Sequence, residues 1–193
     1  MKISDIGKPA NLFAIDSSTN SIAFSHYIDG ELKKYGKIRF QGQDVYQKAG
    51  DACQKVYAYS KAYDIENVVI ESAIYANSPK TAMQLAIVQG AIIGALSVNG
   101  VTRVLSTSPV QWQNWIGNKR LTDAEKTKIR SRTPGKSNSW YKNQERLFRK
   151  QRTMNIINLQ FDTNIDDDDV ADAVAIGWFA RENWTRLLNG PGN

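Results

Sequence analysis

Asp166-Asp167-Asp168-Asp169-Val170-Ala171-Asp172 places five carboxylates in seven positions, and an apolar, small-residue run from Ala173 to Phe179 follows at once. Charges this dense repel one another unless they cap a helix or bind a cation. At helical spacing Asp169 and Asp172 share a face, with Val170, Ala173, Val174 and Gly177 on an adjoining apolar stripe. Acids at a helix start cap free N–H groups and complement the dipole, and capping accounts for Asp166, Asp167 and Asp168 as well as ligation does. It accounts poorly for Asp172, which lies beyond the first turn and beside the packing stripe. Asp169 and Asp172 are therefore read as ligands of a divalent cation.

Two further acids end apolar runs, Asp16 after Asn11-Leu12-Phe13-Ala14-Ile15 and Glu71 after Asn67-Val68-Val69-Ile70. On neighbouring strands their backbones would lie roughly 5 Å apart. A buried carboxylate without a partner is costly, so two acidic strand ends facing an acidic helix start imply a metal or strongly raised pKa values. Oxygen-only ligation suits Mg²⁺ or Mn²⁺, and no local His/Cys cluster argues for zinc. His26, the only histidine, falls inside a strand and is expected to be structural or exposed.

The elements that must position these acids follow from periodicity. Asn11–Asp16, Ser21–Ile28 and Leu32–Phe40 read as strands, with Asp29-Gly30 as the tight turn of a meander. Residues 42–63 carry Val45, Ala49, Ala52, Val56, Tyr59 and Ala62 at three-and-four spacing, an amphipathic helix. Asn67–Glu71 is a fourth strand, a helix runs from about Pro79 to Val98, and Val101–Ser106 is a fifth strand. Ser108-Pro109 opens a helix through Trp112 and Trp115 with proline where a first turn tolerates it. The order βββαβαβα predicts an α/β fold: one mixed five-stranded sheet flanked by helices, with a basic segment inserted before the last helix.

Composition bounds the rest. The 193 residues, 41% hydrophobic, are enough for one core, so a single domain over residues 1–193 is expected. Lone Cys53 excludes an internal disulfide and a cysteine-rich zinc site. Met1–Lys8 has no signal-type apolar core, and the run Ala86–Val98, interrupted by Gln89, reads as too short for a bilayer, so a cytoplasmic protein without membrane contact is expected. The net charge of +6 is unevenly spread: residues 119–152 carry a net +9 and the remainder −3. A mildly acidic body with one basic segment is the footprint of a polyanion binder, usually nucleic acid. Lys119, Arg120, Lys126, Lys128, Arg130, Arg146, Arg149, Lys150 and Arg152 are the candidate phosphate contacts, and Trp140, Tyr141 and Phe148 among them can stack on bases or sugars.

Taken together, Ile15-Asp16, Val69-Ile70-Glu71 with Gly90 in the following helix, Ser108-Pro109-Val110-Gln111, and Asp169-x-x-Asp172-Ala173-Val174-Ala175 resemble the RuvC family of Holliday-junction resolvases, within the RNase H-like superfamily. Each motif is weak alone; the four in this order are fairly specific, and they span most of residues 11–180. The resemblance implies a homodimer with two symmetric Mg²⁺ sites, each built from Asp16, Glu71, Asp169 and Asp172, that nicks opposing strands of a four-way junction. Asp16 is the expected bridging ligand between two cations about 4 Å apart. Tyr75 stands where bacterial members carry an aromatic reaching the junction centre. Residues 130–149 look longer than the family's usual path into the last helix, closer to compact phage-type members. Two alternatives remain: a related nuclease acting on flaps, Y-junctions or RNA–DNA hybrid, and a junction-binding protein without catalysis.

Overall fold

The computed structural model describes residues 7–72, 78–101 and 103–190. The strands are β1 (Asn11–Ser17), β2 (Ser21–Ile28), β3 (Glu31–Arg39), β4 (Asn67–Glu71) and β5 (Arg103–Thr107). They form one sheet in the order β3-β2-β1-β4-β5, antiparallel through β1–β3 and parallel from β1 through β4 to β5. The meander turns at Asp29 and Gly30, both at positive φ (50° and 86°), which glycine adopts without cost and aspartate tolerates.

Strand parity decides which side of the sheet carries the chemistry. On β1, Leu12 and Ala14 enter one core and Phe13 and Ile15 the other. On β4, Val69 enters the first core and Val68 and Ile70 the second. Side chains alternate with period two, so Asp16 follows Leu12 and Ala14, and Glu71 follows Val69, onto the same face. Because Ile15 pairs with Ile70, the two acids are neighbours at the strand ends.

That face is covered by α6 (Asp168–Glu182), and the opposite face by α1 (Val45–Tyr63) and α2 (Pro79–Val98). Helix α6 is buried nearly all round rather than along one stripe, because α5 (Asn138–Phe161) and α3 (Pro109–Trp115) cover the side turned away from the sheet. It lies unusually close to β2. The Ser25 hydroxyl and the Tyr27 phenol donate to the carbonyls of Ala173 and Val174 at 2.8 and 2.9 Å, and a Cβ on Gly177 would come within 2.5 Å of the Tyr27 ring.

Two expectations change. The basic segment is two helices, α4 (Asp123–Arg132) and the 24-residue α5, and a short α7 (Trp184–Leu188) follows α6. Helix α4 buries no residue, and α5 buries only Tyr141, Thr153 and Ile157, too few to print a stripe on so charged a sequence. Helix α2 is longer than its apolar run: its 20 residues are long and apolar enough to cross a membrane by length and composition alone. Here its Val88, Ile92, Ala95 and Leu96 are buried. His26 is fully buried, its Nε2 2.8 Å from Asn11 Oδ1, among Phe13, Tyr59 and Tyr63. It is structural, as expected.

Candidate active site

Asp16, Glu71, Asp169 and Asp172 line one cleft of about 260 Å³ together with Ser17, Arg146 and Lys150. Burial, then the charges of Glu71, Asp172 and Asp169, push Asp16 up to about 8. Burial likewise raises Asp172 to about 7, with Glu71 and Asp169 adding to it and Lys150 opposing. Glu71 is also raised, chiefly by burial, against the hydrogen bond from Trp112 and the charge of Lys150. Carboxylates crowded to this degree either hold protons or share a cation. An all-oxygen set of this kind fits a hard divalent ion.

The helix start divides its acids. Asp167 is the N-cap and accepts from the backbone N–H groups of Asp169 and Val170 at 3.0 and 3.1 Å. Asp166 is exposed. Lys37, reaching across from β3, binds Asp167 at 2.7 Å and Asp169 at 2.9 Å. Lys150 of α5 binds Asp169 at 3.0 Å and also pairs with Asp168. Burial alone would raise Asp169, but hydrogen bonds from Lys37 and Lys150 outweigh it and its carboxyl ends below the usual value. Asp167, Asp168 and Asp169 also bring carboxylate oxygens within 4.8 Å of one another. That trio is already balanced by its cap and its two lysines, whereas Asp16, Glu71 and Asp172 carry the raised values.

A second tier orients the acids. Trp112 Nε1 donates to Glu71 Oε1 at 2.7 Å. Gln89 of α2 donates to Ser17 Oγ and to the Glu71 carbonyl at 2.7 and 3.1 Å, tying β1 to β4 beside the cleft. The Thr153 hydroxyl bonds Asp172 and accepts from Asn118 Nδ2 at 2.8 Å. Lys37, Gln89, Trp112 and Thr153 escape sequence reading, since nothing in periodicity marks a side chain for an acid far away in the chain. The helix start expected at Ser108-Pro109 is present and is closed by a Ser108–Gln111 capping box that seats α3.

Beside the acids, sharing Glu71, Asp172, Arg146 and Lys150 with their cleft, opens a groove of about 540 Å³. Arg120, Lys126, Lys142 and Arg149 add to its positive lining. Lys119, Arg120, Lys128, Arg130 and Arg146 are exposed. Other basic residues serve the protein itself: Arg149 bonds Gln113 and the Asn118 carbonyl, Arg152 pairs with Glu125, and Lys126 pairs with Asp123 at 3.2 Å. Lys150 belongs to the acidic cluster. Tyr75 lies outside the described residues.

No protein-family model matches the chain. It is 27% identical over 150 residues to the crossover junction endodeoxyribonuclease RuvC of Brachyspira hyodysenteriae, covering 78% of this chain and 76% of that protein. Its fold matches Thermus thermophilus RuvC in complex with a Holliday junction substrate, with a TM-score of 0.67 over 92% of this chain and 96% of the other at 12% identity. A yeast mitochondrial Holliday junction resolvase matches with a TM-score of 0.52 over 93% and 82% of the two chains at 14% identity. With a sequence match over most of its length and a fold shared with solved RuvC structures, the chain is similar to RuvC in sequence and has its RNase H-like fold.

Proposed function

We propose that the chain is a divalent-cation-dependent endonuclease that nicks four-way DNA junctions, with Asp16, Glu71, Asp169 and Asp172 as cation ligands and Mg²⁺ as the working ion, replaceable by Mn²⁺. The observation that carries this reading is the continuity of the acidic cleft with the basic groove, which share four residues. Cations held there supply Lewis acidity to the scissile phosphate and a nucleophilic water at neutral pH. The groove's Arg120, Lys142 and Arg146 neutralise flanking phosphates, giving affinity with little base reading. Lys150, already against Asp168 and Asp169, limits the negative charge of the cluster and so lets a phosphodiester approach. The sequence relative is named as a crossover junction endodeoxyribonuclease, and a structural relative is bound to a Holliday junction; both favour the junction as substrate.

The test compares matched four-way junctions, flaps, Y-junctions and RNA–DNA hybrids in Mg²⁺, Mn²⁺ and chelator. Paired nicks on opposing strands of the four-way junction, dependent on the cation, are expected. Faster cleavage of the hybrid would move the substrate class, and binding without cleavage in either ion would reduce the protein to a junction binder.

Opposing nicks ask for two sites, and we propose a homodimer through α2. Gly90 and Gly94 are exposed with open space where a Cβ would stand, and Met83 and Val98 lie exposed on the same helix. Small residues permit close helix approach, whereas Ala95 is buried within the protomer. Sedimentation at micromolar concentration is expected to report a dimer that Gly94→Arg converts to monomer. A monomer with and without junction DNA would contradict it.

A further inference from the structure

We propose that Trp112 is a positioning residue that fixes the Glu71 carboxylate for cation binding. The inference rests on the reading of Glu71 as a ligand and concerns what holds that ligand still. Trp112 is 1% exposed, and its Nε1–H lies 2.7 Å from Glu71 Oε1. An indole N–H only donates, so it can bind one carboxylate oxygen and leave the other facing the cleft. It is also neutral. Unlike Lys150, it does not compete in charge with an incoming cation.

The frame that presents the indole is short and closed. Glu71 pairs with Thr107 at the end of β5, the Ser72 N–H donates to the Thr107 carbonyl at 2.8 Å, and α3 begins two residues later. Its start is fixed by Pro109 in the first turn and by the Ser108–Gln111 capping box. The carboxylate is thus anchored at the end of β4 and the donor on the helix that leaves the adjacent β5, the two strands being joined by backbone hydrogen bonds. A glutamate at a strand end otherwise samples several rotamers, and holding one of them lowers the ordering cost when a cation binds.

The test is direct Mn²⁺ binding to the free protein, by calorimetry and by the electron paramagnetic resonance of unbound Mn²⁺, without DNA. Trp112→Phe removes the N–H and keeps an aromatic ring; its Mn²⁺ affinity is expected to fall about 10- to 100-fold, the usual consequence of losing an outer partner of a metal ligand. Half-maximal cleavage is expected to need more Mn²⁺ by a similar factor. If the phenylalanine variant does not fold, benzothienylalanine at position 112, which replaces the N–H by sulfur at nearly constant shape, carries the same expectation. A purely structural tryptophan would lower the cation-free melting temperature and leave Mn²⁺ affinity unchanged, which overturns the proposal. Glu71→Gln, measured in parallel, separates the two levels. Unchanged Mn²⁺ binding in Glu71→Gln refutes Glu71 as a ligand, whereas loss there with retention in Trp112→Phe refutes only the positioning role.

Discussion

Asp172→Asn is expected to lower cation-dependent cleavage by about 10³-fold or more while leaving junction affinity equal to or above that of the wild-type chain. Ligand loss removes transition-state charge stabilisation of several kcal/mol, and each 1.36 kcal/mol is about tenfold in rate. On the proposed function, affinity rests on Arg120, Lys142 and Arg146, which line the adjoining groove, and removing a negative charge beside them is not expected to weaken phosphate binding. Asp166→Asn is the internal control: that side chain is exposed and outside the helix, so its replacement costs at most about 1 kcal/mol of helix-start stability and no rate. Single-turnover cleavage and equilibrium binding of both variants, with thermal melts to verify folding, give the answer. Full activity in Asp172→Asn would refute the four-carboxylate site.

The cation-free protein is expected to lose stability as pH rises from about 4 to about 8. Asp16, with an ordinary value of 3.8, titrates near 8 in the folded chain, and Asp172 near 7. Between those limits the folded state binds protons that the unfolded state has released, so stability falls with pH. Below the ordinary value both states are protonated and the effect vanishes; above 8 the loss is complete. Each tenfold change in a proton affinity is worth about 1.36 kcal/mol, so the two groups together change stability by an amount on the order of several kcal/mol. Asp167 and Asp169 act in the opposite sense: their lowered values stabilise above the ordinary carboxylate range, and that contribution is lost as pH falls through it. The cation-free melting temperature should therefore peak near pH 4, where the two opposing contributions meet. Mn²⁺ should raise it more at pH 8 than at pH 5, because a bound cation replaces the protons. Asp16→Asn should raise the cation-free melting temperature at pH 8. A flat profile between pH 5 and 8 would contradict the crowding of these acids.

The sheet, its order and the four acids were legible because each rests on a local regularity. Alternation along Leu12–Asp16 and Val68–Glu71 sets the face, and a strand end sets the depth. Lys37 and Trp112 were not legible. Lys37 meets Asp167 across 130 positions and Trp112 meets Glu71 across 41, and their types suit a charged sheet edge and an apolar helix equally well. The roles of Asp166 to Asp169 follow from backbone conformation: Asp167 has the extended geometry (φ −95°, ψ 120°) and the hydrogen bonds of the cap. The helices of the basic segment were hidden because α5 spends only three of its 24 residues on burial.

That economy separates two parts of the molecule in time. Amide protons of β1, β4 and α6, which carry the acids and whose apolar residues fill the cores, are expected to exchange with solvent only when most of the structure opens. Those of α4, which buries nothing and is joined to α5 through Glu125 and Arg152, exchange through brief local openings. On the proposed function, the basic arm can therefore loosen and reseat many times within one lifetime of the intact acidic cleft, and its sequence can drift without disturbing the geometry of the acids.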